Sequence, residues 1–173
     1  MKFESLGAEE KKMIKHVEKN NIFVLETKSF HYVLGIDGAG FNRHIHWGEK
    51  CDVNDYEFEA VHGISSNDPA LNGIKQEITP FGSTMYRECD IKARFEDGCR
   101  EIFLVYKGFE QNGDTLKLHF EDEYYPLGVT LCYEVFEEYN IIKRYVTLTN
   151  TGSDDIVFER IFSAEFTLPS SEP

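Results

Sequence analysis

Signals for membrane insertion, for export and for several common catalytic loops are missing from this sequence. No run of apolar residues among the 173 approaches the length of about 18 that a membrane-spanning helix needs. The start, MKFESLGAEEKK, has no apolar stretch of the kind found in secretory signal peptides. It contains no G-x-S-x-G nucleophile elbow, Walker loop or G-x-G-x-x-G dinucleotide loop. We therefore expect a cytoplasmic protein with no membrane partner and no cofactor.

Basic residues are also scarce. The chain has 18 Lys and Arg against 31 Asp and Glu, a formal net charge of −13, which argues against a nucleic-acid or anionic-membrane partner. Six carboxylates and no basic residue lie within residues 121–140, which is typical of a solvated face. A neutral sugar would be indifferent to this charge.

Cysteine is present without any metal-binding or redox spacing. No C-x-x-C pair occurs among the four cysteines, which are Cys51, Cys89, Cys99 and Cys132. In a chain without a signal peptide, reduced thiols are the expected state.

Residues that favour β-strands are abundant, with aromatic residues at 14% of the chain. From residue 22 onward, apolar and polar residues alternate with a period of two in eight to ten short runs separated by turn residues. Asp97-Gly98 is the strongest hairpin signal among these turns. The pattern predicts an all-β fold, an antiparallel sandwich of two sheets, over residues 22–173.

Residues 1–21 form a separate N-terminal extension in this interpretation. Leu6, Met13, Ile14 and Val17 fall at roughly helical spacing among charged residues, which suggests a short amphipathic helix. A frayed tail is an equal alternative. The abrupt end of the sequence after its last strand run suggests a domain cut from a longer protein.

Residues 48–75 are polar and show no clean period. A loop of this length in a compact domain is more often functional than idle. The alternative, a segment that merely covers its own sandwich, has about equal weight.

His44, His46 and Glu49 are the one arrangement that suggests a metal. Residues i and i+2 of a regular strand share a face, so two imidazoles could meet one ion. No further ligand motif follows downstream, so the prediction is that there is no metal site. The chain equally offers no basis for choosing a catalytic carboxylate pair, and no catalytic residue is assigned.

A series of motifs resembles the amino-terminal domain of family 36 glycoside hydrolases, the bacterial α-galactosidases. Each motif is weak alone, but their shared order over about residues 22–169 is specific. The matching pieces are His44-Ile45-His46-Trp47-Gly48, Gln76-Glu77, Phe81-Gly82, Tyr86-Arg87, Phe95-Glu96-Asp97-Gly98, Leu104-Val105-Tyr106-Lys107-Gly108, Tyr125-Pro126-Leu127-Gly128-Val129-Thr130-Leu131, Tyr133-Glu134-Val135, Glu137-Glu138-Tyr139-Asn140, Asn150-Thr151-Gly152, Phe158-Glu159-Arg160-Ile161-Phe162-Ser163-Ala164-Glu165-Phe166 and Leu168-Pro169.

The resemblance implies a β-supersandwich that packs on a following (β/α)₈ barrel. In that family two barrel aspartates carry out retaining hydrolysis of terminal α-galactosides such as melibiose or raffinose, so this fragment alone is expected to be inactive. The family is commonly oligomeric, and a loop of this domain reaches the sugar in some members. The equivalent loop here would lie within residues 48–75. Asp55 and Glu59, as acceptors for sugar hydroxyls, are the candidate substrate-binding residues.

Two other functions remain as alternatives. A free-standing carbohydrate-binding module could use Trp47, the single tryptophan, as a stacking platform, although its place in a strand motif favours a core position. A small metal-dependent β-barrel protein would use His44 and His46.

Overall fold

The chain folds almost entirely into β-strands. The structure is a computed structural model, and it describes residues 12–38, 40–58, 76–82, 88–164 and 166. Its strands are β1 (Ile14–Val17), β2 (Ile22–Glu26), β3 (His31–Ile36), β4 (Asn42–Gly48), β5 (Ile91–Arg94), β6 (Leu104–Asn112), β7 (Thr115–Asp122), β8 (Leu127–Phe136), β9 (Ile141–Asn150) and β10 (Val157–Ile161). Single 3₁₀ turns occur at Glu18–Asn20, Val53–Asp55 and Glu137–Tyr139.

Two four-stranded antiparallel sheets make up the sandwich. The first has the order β1-β2-β3-β4 and the second β6-β7-β8-β9, while β5 pairs with β10 in a separate two-stranded ribbon. Each large sheet is a meander, with consecutive strands paired. The prediction of an all-β antiparallel sandwich is confirmed, and the ribbon is an addition to it.

The main core lies between the two sheets. Alternate residues of each strand point into it: Tyr32, Leu34 and Ile36 from β3, and Val129, Leu131, Tyr133 and Val135 from β8. A second, smaller cluster covers the opposite face of the first sheet. There Ile22, Val24 and Val33 pack beneath Tyr56, with Val53 and Phe58 at its margin. Residues 51–58 therefore act as a cover for the outer face of the first sheet.

The predicted N-terminal helix is wrong over Ile14–Val17, which form strand β1. Ile14 pairs with Leu25 and Val17 with Ile22, and Asn21 turns the chain with a positive φ of 51°. Pairing with β2 buries Ile14 against the core, and this gain from packing outweighs the weak helical preference of a short segment. Residues 1–11 lie outside the described part, and the domain boundary at residue 21 stays a prediction.

The hairpin predicted at Asp97-Gly98 is wrong as a pairing, although the turn is present. The Phe95 amide donates to the carbonyl of Cys99, and Gly98 has a positive φ of 84°. The strands on either side of this turn do not pair with each other, because β5 pairs with β10 and β6 pairs with β7. The tight hairpin lies one turn later, where Gly113 and Asp114 connect the paired residues Asn112 and Thr115.

One of the carboxylates predicted to be solvated is buried instead. Asp122 is 8% exposed and accepts hydrogen bonds from the amides of Phe103, Tyr124 and Tyr125. It stabilises the turn between β7 and β8. None of the four cysteines forms a disulfide. No helix within the described ranges has the length and apolar character to cross a membrane.

Candidate functional site

A β-bulge in β4 determines how this strand presents its polar side chains. His46 pairs with Val33 and His44 pairs with the next residue, Leu34, so that Ile45 is an extra residue in the ladder. Val33 and Leu34 point to opposite faces of the sheet. His44 therefore points into the sandwich and His46 points to the outer face.

The bulge rules out the arrangement on which the metal hypothesis depended. His44 lies against Tyr32 and the carboxylate of Glu77, whereas His46 lies against Tyr56 on the other side of the sheet. Residues at positions i and i+2 share a face only in a regular strand, and the bulge at Ile45 makes this strand irregular. Within the ranges that the structure describes, no group of three His, Cys, Asp or Glu side chains is placed to hold a metal ion.

On the inner face, the buried carboxylate of Glu77 joins both sheets. Glu77 is 2% exposed and contacts the hydroxyls of Tyr32 at 2.8 Å and Tyr133 at 2.5 Å. Nδ1 of His44 lies 2.7 Å from its Oε1, and because a carboxylate only accepts, this nitrogen carries the proton. Arg144 on β9 places Nε 3.4 Å from Oε2 and also donates to the Glu77 carbonyl. We call these five residues the Glu77 cluster.

The pKa shifts in the Glu77 cluster keep the Glu77 carboxylate and the Arg144 guanidinium ionised. Burial alone would raise the pKa of Glu77, but the hydrogen bond from His44 and the charge of Arg144 outweigh it and lower that pKa. Burial and the nearby carboxylate raise the pKa values of both tyrosine hydroxyls, so these stay neutral. The pKa of Arg144 is raised despite burial, by its tyrosine and carboxylate neighbours.

This chemistry supports a structural role for the cluster. Retaining and inverting glycosidases need two carboxylates on either side of the reacting bond, one of them able to exchange a proton. The cluster holds a single carboxylate, almost closed to solvent and bound on all sides by donors. It fixes residues 76–78 to the strands of both sheets.

An exposed aromatic surface lies above the Glu77 cluster. Trp47 is 54% exposed, and its ring contacts those of Tyr32 at 6.1 Å and Phe166 at 5.4 Å between centroids. Phe166 is itself 44% exposed and also contacts His44. The core position favoured for Trp47 is wrong, because Trp47 pairs with Tyr32 near the end of β4, where the inner face opens to solvent. We call Trp47 and Phe166 the aromatic surface.

On the outer face, a second polar cluster fastens residues 51–58 to the sheet. Tyr56 is buried, and its hydroxyl lies 2.8 Å from Nδ1 of His31 and 3.2 Å from the amide of Cys51. Glu26 binds Lys15 at 2.8 Å and Lys50 at 2.9 Å. Burial alone would raise the pKa of Glu26, but the two lysines lower it to about 2.

Asp55, one of the two predicted substrate-binding residues, lies within the described part of the structure. Asp55 ends the 3₁₀ turn Val53–Asp55 and is exposed, directly before the buried Tyr56. Asp52 caps this turn by accepting from the amide of Asn54. Glu59 lies outside the described residues. Residues 51–58 cover the outer face of the first sheet, as one of the two interpretations of this loop expected. Asp55 lies at their exposed edge.

The sequence placed Glu77, His44 and Tyr133 in separate motifs and gave no sign that they meet, and it did not single out Tyr32 or Arg144. Tyr32, Tyr133 and Arg144 come from strands separated by up to 112 positions, 32 to 144, and each sits in an ordinary alternating pattern. One signal was available in the sequence. Arg144 shares a face of β9 with the apolar Ile142 and Val146, where an apolar residue is expected.

Comparison with known proteins identifies what this sandwich resembles. The model of the glycosyl hydrolase family 36 N-terminal domain matches residues 40–173. The bifunctional alpha-galactosidase/sucrose kinase AgaSK of Mediterraneibacter gnavus is 29% identical over an alignment 171 residues long that covers 83% of this chain and 18% of that protein. Alpha-galactosidase AgaA of Geobacillus stearothermophilus is 25% identical over an alignment 182 residues long that covers 85% of this chain and 25% of that protein.

Solved structures show the same architecture. The galactosidase domain of AgaSK superposes with a TM-score of 0.75 at 27% identity, covering 87% of this chain and 25% of that one. Alpha-galactosidase AgaB of Geobacillus stearothermophilus gives a TM-score of 0.76 at 22% identity, covering 87% and 24%. The chain thus spans about a quarter or less of the length of these relatives.

Proposed function

Since the chain belongs to the glycosyl hydrolase family 36 N-terminal domain family, we propose that it is the non-catalytic amino-terminal sandwich of an α-galactosidase. The observation that carries this is the match of one family model over residues 40–173. The relatives named above are alpha-galactosidases in which the equivalent of this chain is one part of a longer polypeptide. The proposed activity of the whole protein is hydrolysis of terminal α-galactosides of the melibiose or raffinose type.

The proposed partner of the sandwich is the catalytic barrel of the same polypeptide. The aromatic surface supports this, because two large, adjacent, half-exposed rings are the type of surface that a folded neighbour covers. The Glu77 cluster directly beneath it holds Tyr32 and His44 in place as its floor. The sandwich would thus offer the barrel a preformed, rigid apolar contact.

Asp55 and Glu59 are proposed as contributors to substrate binding. Asp55 is exposed on a capped turn fixed to the sheet by the adjacent Tyr56, so its carboxylate is held in a defined place where it can accept hydrogen bonds from hydroxyls. Assembly of the whole protein as a cytoplasmic homo-oligomer completes the proposal. Four unpaired cysteines support the cytoplasmic location, because reducing compartments keep thiols free.

The test compares the whole natural protein with the 173-residue chain on p-nitrophenyl α-galactoside and raffinose. We expect hydrolysis by the whole protein and none by the chain alone. An inactive whole protein, or an active isolated chain, would contradict the proposal.

In the whole protein, D55N and E59Q should raise KM with little change in kcat, because each removes an acceptor without touching the barrel. E57Q is the matched control, since Glu57 is exposed in the same segment. If D55N and E59Q behave like E57Q, the substrate-binding role is wrong.

A further inference from the structure

Residues 51–58 contact the first sheet through a small set of apolar and polar side chains within the described part of the chain. Their apolar contribution comes from Val53, Tyr56 and Phe58, of which Tyr56 is buried and the other two are partly buried. The second cluster beneath them is much smaller than the main core. A cover with so little buried apolar surface depends strongly on its polar contacts.

The hydroxyl of Tyr56 is the central polar contact, and its hydrogen bonding depends on His31. It must accept from the Cys51 amide, 3.2 Å away, because an amide can only donate. Its own proton then goes to Nδ1 of His31, at 2.8 Å, provided that this nitrogen is unprotonated. On an imidazolium, Nδ1 also donates, and the buried hydroxyl proton loses its acceptor.

The surroundings of His31 disfavour that second proton. His31 is 3% exposed, and Nε2 lies 3.7 Å from the carboxylate of Glu26 on β2. That carboxylate already binds Lys15 from β1 and Lys50 from the connection after β4. A protonated His31 would add a further positive charge beside those of Lys15 and Lys50. Other titratable or charged groups among the described residues on this side are the Cys51 thiol and the Asp55 carboxylate, which both act on the Tyr56 hydroxyl, the guanidinium of Arg43 over the Phe58 ring, and the imidazole of His46, whose ring lies 5.3 Å from that of Tyr56.

We propose that His31 and Tyr56 form a proton-controlled anchor for residues 51–58, closed when His31 is neutral and opened when it is protonated. The anchor would position Asp55, one residue before Tyr56, and in that consequence alone it rests on the proposed function. His31 and Tyr56 are positioning residues, with no contact to substrate implied.

The expected pH range follows from the direction of the pKa shift. Burial, and then the charges of Lys50 and Lys15 against that of Glu26, give His31 a pKa below its ordinary 6.5. When residues 51–58 detach, His31 loses its cover and its pKa returns toward the ordinary value. The attached state is therefore fully favoured above about pH 6.5 and loses its advantage as the pH falls below that value, toward the pKa of the attached state.

Hydrogen exchange measured by mass spectrometry on the 173-residue chain tests this, with rates corrected for intrinsic pH dependence. Peptides covering residues 51–58 should lose protection below about pH 6.5, by up to about tenfold per pH unit, while peptides from β2 and β3 keep theirs. Y56F, which lacks the hydroxyl, should leave residues 51–58 weakly protected at every pH.

Two histidine variants separate this anchor from other titrations. H31N keeps an amide near the position of Nδ1 but cannot titrate, so protection of residues 51–58 should no longer depend on pH. H46N should retain the wild-type response, since Nε2 of His46 bonds the Glu49 carbonyl and not Tyr56. An unchanged wild-type protection across the range, or a response that survives in H31N, overturns the proposal. Because no substrate is present, this result is independent of the KM values of D55N and E59Q.

Discussion

At the scale of single residues, Glu77 shows how a buried charge can organise a sandwich. An isolated carboxylate in an apolar core would be prohibitively costly to desolvate. Here two hydroxyls, one imidazole and one guanidinium surround it, and they arrive from both sheets. The cost of burial is offset only while every member is present, so the arrangement specifies one relative position of the sheets.

E77Q should destabilise the chain by about 3 kcal/mol, because it leaves the charge of Arg144 buried without its counter-ion. Urea unfolding followed by circular dichroism measures the change. The control is E134Q, which breaks the exposed pair of Glu134 and Lys143 and should cost less than about 1 kcal/mol. Equal losses in the two variants would contradict a special role for Glu77.

The same substitution should alter the dependence of stability on pH. The folded pKa of Glu77 lies below its ordinary 4.5, so its contribution is present above that pH and is lost as the pH falls toward the folded value. E77Q should remove this part of the acid dependence and flatten the curve below about pH 4.5.

At the scale of elements, the sequence predicted the strands well and their partners less well. Alternation defined most strands from β3 to β10, because at least one face of each packs against a core, whereas β2 consists mainly of a continuous apolar run buried on both faces. The errors occurred where strand pairing and packing in the folded chain decided the outcome. The weak helical spacing around Ile14 was overridden by pairing with β2, and the turn at Asp97-Gly98 could not reveal that β5 pairs with a strand more than sixty positions away.

G113A should cost about 1 kcal/mol, because Gly113 has a positive φ of 56° in the two-residue turn of the β6–β7 hairpin. No other atom lies within 4 Å of the position a Cβ would take, so the cost is conformational and not steric. G38A is the matched control, with equally open space and no positive φ. Urea midpoints for the two variants should differ accordingly.

At the scale of the whole molecule, the aromatic surface is the contact that we propose between this sandwich and the barrel. Composition and alternation were enough to predict the fold class. The Glu77 cluster and the exposure of Trp47 could not be predicted, because they depend on which strand ends are left uncovered. The bulge at Ile45 likewise leaves no mark in the pattern His44-Ile45-His46, which fits a regular strand equally well.

W47A should lower the thermal stability of the whole protein more than that of the isolated chain, because only the whole protein would bury this ring. F103A is the control, since Phe103 has the same 54% exposure elsewhere on the surface. Differential scanning calorimetry of both variants in both contexts provides the comparison. A loss for W47A that is equal in the two contexts would argue against an interface at the aromatic surface.

The extra residue in β4 makes two close histidines energetically independent. His44 contacts Glu77, Tyr32 and Phe166, whereas His46 contacts Glu49 and Tyr56, and among the residues that the structure describes the two sets share no member. Side chains so near in sequence ordinarily couple, yet a double-mutant cycle across H44A and H46A should give a coupling energy within about 0.5 kcal/mol of zero. Each side of this strand is consequently free to accumulate substitutions without compensating changes on the other.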